Sequence, residues 1–258
     1  MTEPREEWHF DTVLLGRRVL VYDELASTNT AAMSLAKPEE GLAILAEHQT
    51  SGRGRFGRVW RSRPGSALLL SIVLYPPPEL RRASILTALA AVAVAEAVYQ
   101  LTSLQARIKW PNDLLVRGNK ISGILIEQGS ATVVGIGLNL NQTREEFDAA
   151  GLPEATSLAI LTGQEFELRR AAEVLLRAFD FEYERLLAGE RVAVEADWKW
   201  RTGLLGQHVE IERSDGTRLR GRVKEMSFDE VEVESTDGEV LKLIPESIEH
   251  VRRNEPEA

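Results

Sequence analysis

The sequence predicts an α/β (α+β) fold in which a mixed sheet and helices form one large domain, followed by a small β-barrel-like domain. Along most of the chain, short apolar runs typical of strands alternate with longer helical segments. Near the C-terminus the pattern changes to short strands separated by two glycine turns, Ser214–Thr217 and Thr236–Glu239. These observations place one domain at residues 1–203 and a second at residues 204–258.

The predicted elements follow the chain in a simple order. Val19–Leu25 has the pattern of a strand, and a helix begins next to Ser27, whose side chain suits an N-cap. Two more strands, Leu42–Ala46 and Ala67–Tyr75, flank a glycine-rich loop. The remaining predicted elements are a buried helix at Arg82–Leu101, a hairpin within Arg107–Glu127, a strand at Ala131–Leu138 and an amphipathic helix at Leu168–Leu187.

Composition excludes several classes of function. The chain has 258 residues, a net charge of -9 and no cysteine. A general nucleic-acid binder needs a surplus of Lys and Arg, so we expect no DNA partner. Without cysteine there is no disulfide framework and no thiolate metal site. No stretch approaches the roughly 20 apolar residues of a membrane span, so no membrane partner is expected. The charged N-terminus, Met1–Glu7, is not a secretory signal, and a cytoplasmic location follows as the default.

Residues 49–60, which we call the glycine–arginine loop, combine backbone freedom with positive charge in an acidic chain. This loop contains Gly52, Gly54, Gly57, Arg53, Arg55 and Arg58. Its spacing satisfies G-x-G-x-x-G, but a dinucleotide site needs a following helix, and Ala67–Tyr75 has the pattern of a strand. A protein-kinase loop needs a lysine on that strand, and the next lysine is Lys109. The loop therefore predicts another kind of anion site, with a solvated surface turn as the alternative.

Four other features suit either a ligand pocket or ordinary local structure. Ser27-Thr28-Asn29 could cap a helix or bind a urea or amide group. Trp110-Pro111-Asn112-Asp113 suits a pocket or a turn. Asn139 ends a strand that contains two glycines, and such glycines often mark the close approach of a ligand or another backbone. Lys120, near the start of the second hairpin strand, would by itself be a solvated edge residue.

Together these motifs occur in the order seen in biotin protein ligases, and the resemblance spans essentially the whole chain. The matching stretches are Ser27-Thr28-Asn29, Gly52–Trp60, Lys109–Asp113, Lys120–Glu127 and Gly135–Asn141. The resemblance implies a catalytic domain related to class II aminoacyl-tRNA synthetases and lipoate ligases, with an SH3-like barrel after it. It also implies that biotin and Mg-ATP form biotinyl-5′-AMP and pyrophosphate, after which a carrier lysine attacks the mixed anhydride.

The resemblance also implies roles for individual residues. The residues expected to bind biotin are Ser27, Thr28, Asn29, Gln49, Arg53, Gly54, Arg55, Lys120 and Gly123. The residues expected to bind ATP are Arg55, Arg58, Trp60, Asn112 and Asn139. Catalytic roles are expected for Lys120, Arg55 and Asp113, and no metal ligand is assigned. The sequence departs from the family at Phe56, where members commonly carry another arginine.

The expected macromolecular partner is the biotin carboxyl carrier protein of acetyl-CoA carboxylase, and related ligases often form homodimers. Only 26 residues precede Ser27, so we expect a monofunctional ligase without the family's N-terminal DNA-binding domain. Two rival functions stay open. A lipoate or octanoate ligase on the same fold would have an aliphatic slot in place of the ureido pocket, and a non-catalytic sensor would bind biotin without releasing pyrophosphate.

Overall fold

The computed structural model describes residues 3–254, except for the side chain of Phe56. An eight-stranded sheet has the order β1-β2-β3-β4-β8-β7-β6-β5, in which only β2 and β3 are parallel among these neighbours. Its strands are β1 (Glu6–His9), β2 (Arg18–Leu25), β3 (Ala43–Gln49), β4 (Ala67–Leu74), β5 (Arg107–Lys109), β6 (Asp113–Val116), β7 (Asn119–Gln128) and β8 (Thr132–Asn139). The predicted mixed sheet is therefore confirmed.

Six α-helices accompany this sheet within the described residues. They are α1 (Thr28–Ser34), α2 (Ala83–Thr102), α3 (Arg144–Ala149), α4 (Leu158–Thr162), α5 (Leu168–Leu187) and α6 (Arg191–Thr202). The helix α1 is the crossover between the parallel strands β2 and β3, so its N-terminus lies beside the end of β3. This connection brings the Ser27 motif close to the start of the glycine–arginine loop.

The central strand β4 shows why the sheet has helices on one face and a site on the other. Its eight residues are all buried, as its nearly continuous apolar sequence predicts. Leu68, Leu70 and Ile72 belong to the main core with α2 and α5. Ser71 points to the opposite face, where its hydroxyl contacts α1. A lone hydroxyl in an otherwise apolar strand thus marks the functional face of the sheet.

The helix α2 corrects one expectation from the sequence. It is long and apolar enough to cross a membrane by length and composition, although the sequence was expected to contain no such stretch. However, 67% of its most apolar window is buried inside the protein, against the sheet and α5. A core helix of this kind is apolar all round because protein surrounds it.

The carboxylate of Asp180 on α5 ties the turn before β2 to the helical layer. It accepts hydrogen bonds from the backbone N–H groups of Val13, Leu14 and Leu15, at 2.6, 2.9 and 2.7 Å. The side chain is buried, with 4% exposure. Three consecutive N–H groups that converge on one carboxylate form an anion-binding nest, so this contact fixes where β2 enters the sheet.

The C-terminal residues form a second, five-stranded antiparallel sheet, which fits the expected SH3-like domain. Its strands are β9 (His208–Arg213), β10 (Arg218–Met226), β11 (Val231–Ser235), β12 (Val240–Leu243) and β13 (Ile248–Arg253), in the order β12-β11-β10-β9-β13. The two glycine turns do connect hairpins, with positive φ at Gly216 and Gly238. Since α6 ends at Thr202 and β9 begins at His208, the boundary at residues 203/204 stays a prediction.

A hydrogen bond and aromatic packing join the large sheet to the C-terminal sheet. The Trp110 indole N–H donates to the carbonyl of Ile248 at 3.2 Å, and Trp198 packs between the rings of Trp110 and Phe228. These contacts place the beginning of β13 beside the large sheet. The C-terminal domain therefore reaches the functional face, which the sequence did not predict.

The predicted hairpin within Arg107–Glu127 is present as β6 and β7. The strand β5, which was not predicted, precedes it and pairs with β6. The segment that contains Pro111 separates β5 from β6, since proline has no N–H for a strand ladder. The turn at Arg117 and Gly118 has positive φ at both residues, as a tight hairpin requires.

Candidate functional site

The site is a cavity of about 810 Å³ on the face of the large sheet opposite α2 and α5. All residues for which the resemblance implied a role line this cavity, namely Ser27, Thr28, Asn29, Gln49, Arg53, Gly54, Arg55, Arg58, Trp60, Asn112, Asp113, Lys120, Gly123 and Asn139. They come from α1, β3, the glycine–arginine loop and strands β6 to β8. The fold thus brings together motifs that lie more than a hundred residues apart in sequence, while their individual roles stay predictions.

One end of the cavity is lined by the polar residues Ser27, Thr28, Asn29 and Gln49, and buried Ser71 supports them from behind; we call these five residues the polar floor. The Gln49 side-chain oxygen accepts from the backbone N–H of Thr28 at 2.7 Å and from its hydroxyl at 3.1 Å. The Ser71 hydroxyl lies 2.7 Å from the Thr28 hydroxyl and 2.5 Å from the Asn29 amide oxygen. Ser27 caps α1, where its oxygen accepts from the N–H of Thr30. The cap and the pocket interpretations are therefore compatible, because different residues of the same motif serve each.

Two glycines in β8 make room for the floor and for a ring. A Cβ atom at Gly135 would overlap the Asn29 amide, and one at Gly137 would lie 2.7 Å from the Trp60 ring. Gly137 pairs with Gly123 of β7, where a Cβ would lie 3.3 Å from the same ring. The close approach expected from the glycines is thus present, and both approaching groups line the cavity.

We predict that Gly135→Ala weakens biotin binding by about tenfold to a hundredfold. Its methyl group would displace Asn29 and break the Ser71 contact, and overpacking of this kind costs about 1–3 kcal/mol. Gly129→Ala is the matched control, because its Cβ would meet only the flexible end of Met33. Isothermal titration with biotin measures the difference, and equal affinities for the two variants would contradict the prediction.

The glycine–arginine loop forms a narrow hairpin over the end of the cavity that contains the polar floor. Arg53 and Val59 pair as an isolated bridge, and the N–H of Trp60 donates to the carbonyl of Gly52 at 3.0 Å. A short 3-10 turn at Arg55–Gly57 forms its tip. The helix that a dinucleotide site would need is absent from this part of the described chain. The loop therefore presents backbone and arginine side chains to the cavity.

Lys120 and Asp113 form an ion pair at the centre of the cavity wall. The lysine Nζ lies 2.5 Å from an Asp113 oxygen, and the side chains are 33% and 16% exposed. Gly123 borders the pair, since a Cβ there would lie 3.5 Å from both charged atoms. Burial lowers the pKa of the nearby Arg55 guanidinium, an effect that Glu249 and Asp113 partly offset. Cations and a carboxylate thus meet where a carboxyl and a phosphate group could react.

The two asparagines expected to bind ATP already hold the backbone in place. The Asn112 amide donates to the carbonyl of Ile124 at 2.8 Å. The Asn139 amide donates to the carbonyl of Thr156 at 2.9 Å, and its oxygen accepts from Gln142 at 2.9 Å. Their geometry supports a role in shaping the pocket as much as direct contact with a nucleotide.

Four cationic side chains on the cavity wall form no ion pair or hydrogen bond with any residue in the range 3–254. They are Arg58, Arg61, Lys109 and Arg252, all of them exposed. The Trp60 indole N–H is buried and likewise has no partner among those residues. Most other cations of this acidic chain pair with carboxylates or carbonyls. The cavity therefore keeps positive charge and one donor available for an anionic, hydrogen-bonding ligand.

Sequence analysis missed Ser71, which supports the floor from behind, and part of the cavity wall. Ser71 lies in a buried strand, but it is the only polar residue of β4, and that contrast was a usable signal. His250, Val251 and Arg252 of β13 line the cavity. No local pattern in β13 points to the cavity, because its placement depends on how the two sheets meet.

Solved structures share this fold. The structure is similar to a biotin protein ligase from Aquifex aeolicus in complex with biotin and ATP, with a TM-score of 0.77 and 24% identity, covering 92% of this chain and 99% of that one. It is also similar to a biotin protein ligase from Leishmania major in complex with biotinyl-5-AMP, with a TM-score of 0.55 and 24% identity, covering 87% and 98%. At these identities the likeness supports the fold.

Sequence comparison identifies the family. Residues 21–141 match the model of the biotin/lipoate A/B protein ligase family. The chain is 31% identical to the bifunctional ligase/repressor BirA of Bacillus subtilis over 84% of this chain and 69% of that protein. It is 34% identical to the biotin–[acetyl-CoA-carboxylase] ligase of Mycobacterium tuberculosis over 81% and 80%. The chain therefore belongs to the biotin protein ligases of the biotin/lipoate A/B protein ligase family.

Proposed function

We propose that this ligase activates biotin with ATP and transfers it to a lysine of the carrier protein of acetyl-CoA carboxylase. The observation that carries the proposal is one cavity that joins the polar floor to the Lys120–Asp113 pair and to unpaired cations. Such a cavity can hold a polar head group at one end and phosphates at the other. The identities of the substrates and of the carrier are taken from the names of the relatives, which mention biotin, ATP and acetyl-CoA carboxylase.

The polar floor suits the ureido ring of biotin. A ureido group has one carbonyl acceptor and two N–H donors, so it needs donors and acceptors side by side. Within the described range, the Ser27 hydroxyl hydrogen and the Gln49 amide hydrogens have no acceptor and can donate to the carbonyl. Asn29 is already bonded to Ser71 and Glu127, so it fixes the floor.

The cations suit the first chemical step. A biotin carboxylate oxygen attacks the α-phosphorus, the bond to the β-phosphate oxygen breaks, and pyrophosphate leaves. Two anions must approach each other, so fixed positive charge lowers the barrier. Lys120 and Arg55 lie where they can contact the carboxylate and α-phosphate, while Arg58, Arg61 and Lys109 are available to the remaining phosphates.

Asp113 suits the second step. A carrier lysine attacks the acyl carbon, AMP leaves, and the attacking nitrogen must lose a proton. The Asp113 carboxylate lies next to Lys120 and faces the same cavity, so it can receive or orient that proton. Mg²⁺ enters with ATP as part of the substrate. Residues 3–254 contain no cluster of three or more His, Asp or Glu side chains that could hold a metal ion, so ATP oxygens and water would supply most of its ligands.

A lipoate or octanoate ligase is the rival within the family. An aliphatic tail would leave the hydroxyl and amide groups of the floor unpaired, at a cost of about 1–3 kcal/mol each. We therefore predict that biotin binds at least about a hundredfold more tightly than lipoate. A competition titration measures the ratio. Preference for lipoate would reject the biotin assignment while leaving the fold and the adenylation chemistry intact.

Two further proposals come from the sequence. We propose a cytoplasmic location and a homodimer. The edge strand β5 borders the cavity through Lys109, so it offers a sheet edge near the active site. Light scattering of the purified protein determines its oligomeric state.

A further inference from the structure

Glu127 lies near the end of β7, and none of the roles assigned above uses it directly. One of its oxygens accepts from the Asn29 amide at 2.8 Å, and both oxygens lie 3.1 Å from a nitrogen of the Arg53 guanidinium. Asn29 belongs to the polar floor, and Arg53 belongs to the glycine–arginine loop. The Glu127 carboxylate thus connects the polar floor to the glycine–arginine loop that lies over it.

The same guanidinium also holds the start of α1. Arg53 donates to the Thr30 hydroxyl at 3.0 Å, so its side chain bridges β7 and α1. The backbone hydrogen bonds of the loop run within the loop itself, or from Thr50 and Ser51 to the carbonyls of Leu25 and Ala26 at the end of β2. The Arg53 side chain therefore fixes this side of the loop against β7 and α1.

An exposed ion pair is by itself weak evidence for a functional role, because such pairs contribute little to stability. This pair differs since Glu127 also bonds Asn29, which is only 3% exposed and touches Ser71. A change in the loop that moves Arg53 therefore removes a hydrogen-bonding partner from the carboxylate that orients a buried floor residue. Loop position and floor geometry become coupled through one side chain.

We propose that Glu127 is a positioning residue that couples closure of the glycine–arginine loop to the order of the polar floor. Its carboxylate holds Arg53 in the closed position and Asn29 in the orientation that Ser71 requires. The consequence for biotin, slower release from the closed pocket, rests on the proposed function. The mechanical part, loop closure, does not.

Trypsin tests the mechanical part, because the loop contains cleavage sites after Arg53, Arg55 and Arg58. We expect Glu127→Gln, which keeps the shape but loses the charge, to raise the rate of loop cleavage in the full-length protein about threefold to fivefold. Arg53→Met should raise cleavage at the two remaining sites by a similar factor. The double variant should be no faster than either single one, because both remove the same interaction.

Glu146→Gln is the matched control. It removes a surface ion pair with Arg63 whose glutamate side chain is as exposed as that of Glu127, 31% against 30%, but which lies outside the loop. Added salt should speed loop cleavage in the wild type and not in Glu127→Gln, after normalisation to a small trypsin substrate. Thermal unfolding checks that the variants are folded. Wild-type cleavage rates in Glu127→Gln, or additive effects in the double variant, would overturn the proposal.

A second measurement separates this inference from the proposed function. If biotin binds, its dissociation rate from Glu127→Gln should rise by about the same threefold to fivefold factor. An unchanged dissociation rate would overturn the coupling to the floor. Failure of the wild type to bind biotin, combined with faster loop cleavage in Glu127→Gln, would reject the biotin assignment and support loop closure by Glu127.

Discussion

Replacing Lys120 with methionine should reduce biotin-dependent pyrophosphate release by about a hundredfold to a thousandfold. Methionine keeps the length of the side chain and removes its charge, so the cavity retains its shape. Loss of one well-placed electrostatic contact to a developing charge typically has an effect of this size. The substitution also leaves Asp113 without its partner at 2.5 Å, so a carboxylate would then repel both substrates.

The double variant Lys120→Met/Asp113→Asn separates these two causes. If Lys120 acts on the substrate, removal of the Asp113 charge will not restore pyrophosphate release. If Lys120 only neutralises Asp113, most of the activity will return. Lys242→Met, at an exposed lysine of β12 outside the cavity, is the control for loss of a lysine charge. A Lys120→Met enzyme within threefold of the wild type would contradict the assigned role.

Replacing Asp180 with alanine should lower the free energy of unfolding by about 3–5 kcal/mol, because three backbone N–H groups, including that of buried Leu15, would lose their charged acceptor. In a chain of this size that corresponds to a fall in melting temperature of roughly 10 °C. Calorimetry measures it. The site lies on the other face of the sheet, so the folded fraction should keep its affinity for biotin.

Two further variants test whether the loss of stability in Asp180→Ala comes from the lost hydrogen bonds. Asp180→Asn keeps one acceptor oxygen and removes the charge, so its stability should fall between those of the wild type and the alanine variant. Asp148→Ala removes an exposed carboxylate that lies 3.8 Å from Arg144, and it should change stability by less than about 1 kcal/mol. Equal effects of Asp180→Ala and Asp148→Ala would show that the nest contributes little.

Elements with strong periodicity were predictable from the sequence. The helix expected at Leu168–Leu187 has those bounds, and the one expected at Arg82–Leu101 is α2, shifted by one residue. The turns at Gly216 and Gly238 follow from the need for positive φ. By contrast, the short α3 and α4, the edge strands β1 and β5 and the helix α6 did not match any predicted element, because tertiary contacts define such segments more than periodicity does.

The site residues were predictable only where they belong to a recognisable sequence motif. Composition and spacing indicated an anionic ligand at the loop, but the resemblance supplied biotin, ATP and the residue roles. The sequence analysis predicted no role for Ser71, Glu127 or the β13 residues, because each contacts partners that are distant in sequence. Glu127 stood inside a recognised motif, yet its pairing with Arg53 depends on how the loop folds back over β7.

Pyrophosphate release from Mg-ATP, with biotin as the only other substrate, tests the central claim most directly. The proposed function predicts release with biotin and none with lipoate, at a rate that falls sharply in Lys120→Met. Biotin binding without pyrophosphate release would contradict adenylation. The protein would then be a sensor, and the unpaired cations of the cavity would need another ligand.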